Sequence, residues 1–245
     1  MIESIYETPR IGRRFNGPNH SGNGGYVSGM IGNRIVGSTG QAATIDLRVP
    51  PPLDRDLQWR AHDETLELVD GETVIASGRP GVLDAEDPLV APVSAEQASA
   101  AREDYEGFHG HPFPLCFTCG NERAAGDGLQ VFSGPLPDGR MACTWTPHAA
   151  FGDDDGLLSA EYMWAALDCP GGWAAHITQH PKVLARMTAR LYRRPAVGEA
   201  CIVIGALREV VRRKNHSATA LYTADGQLLG RAEQLWVTVD IAAFT

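Results

Sequence analysis

Residues 15–35 read F-N-G-P-N-H-S-G-N-G-G-Y-V-S-G-M-I-G-N-R-I, and this stretch decides the fold. Gly22, Gly25, Gly29 and Gly32 recur at steps of three and four residues, the spacing that gathers positions onto one face of an α-helix. Each glycine inside a helix costs roughly 1 kcal/mol relative to alanine. A helix over 23–35 with a bare stripe therefore needs a neighbour pressed against its backbone. A sheet or a ligand on that stripe is the expectation, with the helix wrapped by what surrounds it.

The sequence that follows supplies the wrapping. Strand-like runs at 42–49, 57–61, 65–69 and 73–83 are punctuated by Pro50-Pro51-Pro52 and Asp70-Gly71, which gives a helix followed by an antiparallel meander. The second half repeats the layout. Strands at 129–133 and 141–145 precede a helical pattern over 159–176, and further strands follow at 183–192, 200–211, 218–223 and 228–239. A chain of 245 residues with 43% hydrophobic content can bury one large core or two ordinary ones, and the repetition favours two. The break falls in 84–106, where Asp84, Glu86, Asp87, Pro88 and Pro92 give way to the short helix-prone run 95–102. The expected units are 1–90 and 116–245, with 91–115 as linker.

The net charge of −9, from 21 Lys plus Arg against 30 Asp plus Glu, argues against a surface built for nucleic-acid phosphates. One basic run, R-E-V-V-R-R-K at 208–214, sits at a turn between two expected strands; it reads either as a solvated hairpin tip or as an anion site. Arg190, Arg193 and Arg194 are the other cations available for phosphates. No apolar run approaches the roughly 20 residues that span a bilayer, and Met1-Ile2-Glu3-Ser4 opens no signal-peptide profile. A soluble, cytoplasmic protein is expected, with no membrane partner.

The five cysteines suggest no secreted disulfide framework. Within H-G-H-P-F-P-L-C-F-T-C-G, His109, His111, Cys116 and Cys119 offer four ligands of the type a tetrahedral zinc site uses. The same segment also reads as a tight turn with half-buried thiols, its histidines ahead of two prolines that hold the chain extended. The turn is the reading adopted, so no metal or cofactor is assigned.

The second helix, S-A-E-Y-M-W-A-A-L-D-C-P-G-G-W-A-A-H, carries the sharper chemical signal. Glu161 and Asp168 stand two turns apart on nearly one face, with Trp164 and Ala165 between them. Glu161 suits the first turn of a helix that Ser159 can cap. Asp168 lies among Ala165, Ala166, Leu167, Cys169 and Pro170, where a carboxylate is costly unless it is paired or has a task. Pro170 removes a donor and should kink or end the helix just beyond it.

Taken together, a glycine-rich N-G-G-Y-x-x-G helix ahead of a long antiparallel sheet, in two copies, resembles the hotdog superfamily, and the arrangement looks like the double-hotdog acyl-CoA thioesterases. The resemblance spans nearly the whole chain and implies an α+β fold of two tandem hotdog units, each a sheet around a central helix. C-F-T-C-G and L-D-C-P-G-G-W match no catalytic motif of that family. It implies hydrolysis of an acyl-CoA or acyl-carrier thioester at a junction where the start of one central helix faces an acid from the other. Mapped here, amides around Asn23, Gly24 and Gly25 would polarise the carbonyl, and Asp168 would activate water or attack directly. His20, Glu161 and Trp164 are then the candidate substrate-binding residues. Helix one carries Asn33 where helix two carries Asp168, and helix two opens without a glycine pair, so one functional site per chain is expected. Two other classes stay open: an acyl-thioester hydratase or dehydratase using His20, His176 or His180 with an acid, and a non-catalytic acyl-thioester-binding module. A homo-oligomer is compatible with all three.

Overall fold

The computed structural model describes residues 7–83 and 87–240; Asp84 and Glu86 of the expected break, and the N-terminal Met1-Ile2-Glu3-Ser4, lie outside them. The glycine stretch forms α1 (Gly24–Val36), followed by β1 (Ala42–Leu47), β2 (Gln58–His62), β3 (Thr65–Asp70) and β4 (Thr73–Gly81). Next come α2 (Ala95–Glu103), a two-residue β5 (Gly134–Pro135), β6 (Met141–Trp145) and α3 (Ala160–Ala174). The chain finishes with β7 (Lys182–Leu191), β8 (Cys201–Val211), β9 (Lys214–Thr223) and β10 (Leu228–Thr238). All ten strands join one sheet in the order β2-β3-β4-β1-β7-β10-β9-β8-β6-β5, every pair antiparallel.

The halves meet where β1 pairs with β7, Ala43 opposite Ala189 and Thr44 opposite Thr188. Along β1 the period of two sorts the faces. Ala43 and Ile45 join the core around the helices, while Thr44 bonds Thr188 at 2.9 Å and Asp46 pairs with Arg79 and Arg186 on the other side. On β7 and β10 the register slips: Leu235 faces Arg186 and Trp236 faces Leu184, which leaves Ala185 as a bulge. The bulge lets Leu184 and Met187 both reach the core despite their odd spacing.

The glycine stripe does what its cost demands, but its neighbour is neither sheet nor ligand. Gly25, Gly29 and Gly32 face α3: a Cβ on them would come within 2.5 Å of Asp168 Cβ, 2.8 Å of Glu161 Cα and 2.5 Å of the Trp164 ring, respectively. Bare backbone on α1 thus brings the two long helices into contact, and Tyr26 stacks on Tyr162 beside that seam. Gly22 lies just outside the helix, against Ile11, Pro51 and Val27.

Two other expectations change. Residues 129–133 form no strand, because they run beside the C-x-x-C loop instead of beside a strand: Leu129 N–H donates to Phe117 O and Val131 N–H to Thr118 O. α3 continues past Pro170 to Ala174; Pro170 takes the helical donor from Ala166 O, and side chains from outside the helix bond the carbonyls on either side of it, Thr118 Oγ1 donating to Ala165 O, Thr219 Oγ1 to Leu167 O, and Gln234 Nε2 to Leu167 O and Asp168 O. His176 stands beyond that helix with φ +57°. The helix-prone run in the expected linker is α2, closed by a Ser94/Gln97 capping box, and it packs Ala98 and Ala101 with Ala142, Ile202 and Ile204 on the outer face of the sheet. The first half of β8, over 201–206, and the strand positions of β6 and β9 beside it are therefore buried on both faces, while 208–211 of β8 is exposed.

Candidate active site

Asn23 is the N-cap of α1. Its Oδ1 accepts from Tyr26 N–H at 2.9 Å, which leaves its Nδ2 free to point away from the helix. That Nδ2 donates to Asp168 Oδ2 at 3.1 Å and approaches Cys116 Sγ at 3.7 Å. Gly25 N–H donates to the same Asp168 Oδ2 at 2.9 Å. An acid in the middle of α3 therefore sits on the positive end of α1, where first-turn amides and the helix dipole favour an anion. Close approach of the two backbones at Gly25 is what makes the contact possible.

Asp168 is 2% exposed, and its second oxygen, Oδ1, has no hydrogen-bond partner among the described residues. Burial pushes its carboxyl up to about 8, helped by the charge of Cys116, against the lowering effect of the bonds from Gly25 and Asn23. Such a group can accept a proton from a water or hand one to a leaving atom near neutral pH.

Asn23, Gly24 and Asp168 line a cavity of about 310 Å³. Its apolar wall includes Leu47, Ile177, Leu184 and Trp236, from the strands around the Ala185 bulge and the end of α3. His111, Cys116, Cys119 and Cys169 line it as well, and Arg48 and Lys182 are its cations. Arg48 is exposed, whereas Lys182 is buried with Nζ donating to His176 O and His180 O.

Of the residues read from sequence, Asn23, Gly24, Gly25 and Asp168 converge. His20 is exposed and outside the cavity lining, Glu161 packs its backbone on Gly29, and Trp164 is buried in the helix seam against Gly32. None of these three lines the cavity; Glu161 and Trp164 stay out of it because their stripe of α3 is spent on contact with α1. Neither His176 nor His180 lines it. The expected phosphate-binding arginines are engaged elsewhere: Arg193 with Glu199, Arg194 with Asp153 and Asp155, Arg190 with Gly40 O. The 208–214 run is the β8–β9 hairpin tip, with Arg208 on Asp87 and Glu233.

The sequence pointed to Cys116 and Cys119 with His109 and His111, and missed Cys169 as their neighbour. Five buried cysteines form no disulfide, and three of them, Cys116, Cys119 and Cys169, come together in the cavity wall. Cys116 is drawn well below the ordinary thiol value by hydrogen bonds from Cys119 and Cys169, with the nearby His111 adding to this. Burial lowers His111 in turn. The adjacency of Asp168 and Cys169 in L-D-C-P-G-G-W, read beside C-F-T-C-G, was the available signal.

No protein-family model matches the sequence, and no curated protein matches it. Among solved structures, the TesB protein of Mycobacterium avium subspecies paratuberculosis is similar at a TM-score of 0.60 and 10% identity, over 98% of this chain and 100% of that one. A conserved protein of unknown function with hot dog fold from Alicyclobacillus acidocaldarius superposes at 0.54 and 11% identity, covering 94% and 92% of the two chains. The chain has the hotdog fold. A Thermobifida fusca protein described as a candidate thioesterase II is similar over 98% of this chain and 97% of its own, at a TM-score of 0.60 and 12% identity. Identities this low establish the hotdog architecture and leave chemistry to the site itself.

Proposed function

We propose that this chain is a thioester hydrolase built from two tandem hotdog units, 1–90 and 116–245 joined through 91–115, acting on an acyl-CoA or acyl-carrier thioester. The observation that carries the reading is the Asp168 carboxyl of α3 bonded to Gly25 N–H and Asn23 Nδ2 at the start of α1, on the wall of a cavity. The repeated order of helix then strands supports the two-unit reading, as do full-length hotdog neighbours that include one described as a candidate thioesterase. Five buried thiols, none in a disulfide, suit a reducing compartment and support the cytoplasm.

In the proposed reaction the acyl chain occupies the apolar wall formed by Leu47, Ile177, Leu184 and Trp236. Asp168 takes a proton from a water that attacks the thioester carbon, and the tetrahedral intermediate collapses with expulsion of the thiolate. The oxyanion donor differs from the one expected. Asn23 N–H is spent on Phe15 O and Gly25 N–H on Asp168, so Gly24 N–H is the first-turn donor without a partner among the described residues. It is the group assigned to the developing negative charge. Arg48, exposed at the cavity edge, is the cation assigned to a carrier phosphate. One site per chain follows, because the start of α3 is packed on Gly29 of α1.

The test is a panel of acyl-CoA substrates of graded chain length, with released thiol as the readout and Asp168→Asn as control. Thiol release that depends on Asp168 is the expected result. Formation of an enoyl product with no free thiol would overturn hydrolysis in favour of dehydration. Saturable binding with neither product would leave a binding module.

A further inference from the structure

The thiols beside Asp168 form a cluster that the hydrolytic reading does not use. Cys116 and Cys119 come from the C-x-x-C loop, whose turn is closed by Gly120 N–H donating to Cys116 O at 2.8 Å. A side chain at Gly120 would lie 2.5 Å from Pro114 O and 2.6 Å from Cys116 O, so only glycine lets the loop fold back with both sulfurs on one side. Cys169 comes from the middle of α3, next to Asp168. The three Sγ atoms lie within 4.8 Å of one another, and Cys116 and Cys169 are 3.7 Å apart. Sulfurs bound tetrahedrally to zinc at about 2.3 Å stand roughly 3.8 Å apart, so the observed spacing fits a single ion. All three thiols are buried, a setting in which thiolates need a cation.

We propose that Cys116, Cys119 and Cys169 bind one thiophilic divalent cation, of the zinc class, in the wall of the cavity. The nearest imidazole is not a fourth ligand. Phe113 N–H donates to His111 Nδ1 at 2.9 Å, so the ring proton of neutral His111 is on Nε2, which faces Cys119 O at 3.1 Å and Cys119 Sγ at 3.3 Å. His111 is thus a positioning residue that donates to the Cys119 thiolate, as Asn23 Nδ2 does at 3.7 Å from Cys116. Three protein ligands leave the fourth position to a water or a substrate atom from the cavity. That count is the mark of a reactive metal centre, whereas a structural zinc site is closed by four protein ligands. The proposal replaces the His109-containing ligand set suggested by sequence spacing with a sulfur from the second helix. It stands whether or not the cavity hydrolyses thioesters.

The test is direct and does not depend on turnover. The full chain, purified without chelator, is loaded with excess zinc, exchanged into metal-free buffer and assayed for metal, and its zinc X-ray absorption spectrum is recorded. The expected result is about one zinc per chain, with three sulfurs at about 2.3 Å and one lighter ligand. Cobalt loading should give thiolate-to-metal charge transfer and the visible bands of a four-coordinate ion. Cys169→Ser and Cys119→Ser should each lose the metal, while His111→Ala and Cys143→Ser retain it. Should the serine variants fail to fold, the wild-type stoichiometry and spectrum still decide the matter. A wild-type chain that stays metal-free after loading, or one freshly purified with a disulfide among the three cysteines, would overturn the proposal. A metal lost in His111→Ala would overturn the three-ligand assignment.

Discussion

Replacing Asp168 separates the chemical reading from a purely structural one, because asparagine and alanine should behave in opposite ways. In the folded chain Oδ2 receives both bonds, from Gly25 N–H at 2.9 Å and Asn23 Nδ2 at 3.1 Å, and Oδ1 receives none from the described residues. Asparagine can put its carbonyl oxygen where Oδ2 stands and its amide where Oδ1 stands, keeping both bonds at the same volume. Asp168→Asn should therefore keep stability within about 1 kcal/mol while turnover falls about a hundredfold or more, which is roughly 2.7 kcal/mol in the barrier. Asp168→Ala abandons both donors next to a packed helix seam. At about 1–3 kcal/mol per donor left unmet, the loss is about 2–6 kcal/mol, or roughly 4–24 °C in melting temperature for a chain of this size. Calorimetry and thiol-release kinetics on the same preparations read both quantities. A folded Asp168→Asn that hydrolyses at the parental rate would refute the carboxyl's role, and an Asp168→Ala as stable as the parent would refute the bonding that holds it.

The helix start gives a second contrast. A methyl at Gly24 meets Leu184 Cβ at 2.9 Å and only side-chain atoms of Leu184 and Leu47 beyond it, so Gly24→Ala should fold with Leu184 displaced, cost less stability than Gly25→Ala, and lose turnover by about 3 kcal/mol in the barrier if its amide is turned away. A methyl at Gly25 meets Asp168 Cβ at 2.5 Å and Trp164 O at 2.8 Å, so Gly25→Ala should lower the melting point as well as the rate; melting temperature and kcat on each variant check both. Gly171→Ala should destabilise by about 1–3 kcal/mol in denaturant titration, since its Cβ would stand 1.7 Å from Gln234 Oε1, the side chain whose amide supports the Pro170 turn of α3. Burial alone would raise Asp46, but hydrogen bonds from Arg79 and Arg186 outweigh it and hold the carboxyl below its ordinary value. A depressed folded value gives stability that is present above the unfolded carboxylate range and lost as pH falls through the folded value, so the melting-point gap between parent and Asp46→Asn should be full near neutrality and narrow in acid.

Local pattern told most of the fold, for a physical reason. Helix and strand periods repeat over a few residues, so α1, α3 and the long strands were legible from 15–35 and its echo in the second half. The acid was legible too, since a carboxylate in the run A-A-L-D-C-P is costly wherever that helix ends up. Where local signals mislead, a distant partner is responsible: 129–133 follows the C-x-x-C loop instead of a strand, and α3 outlasts Pro170 because Thr118, Thr219 and Gln234 reach its carbonyls. The resemblance set Asn23, Gly24 and Gly25 opposite Asp168, but the bonds between them and the thiols beside them belong to tertiary structure. Asn23 meets Asp168 across 145 residues and Cys116 across 93, and no spacing rule in one segment encodes a contact between three. The stripe of glycines announced that something would press on α1; only packing decided that it was the other helix, and so which side chains of α3 were left to face the cavity.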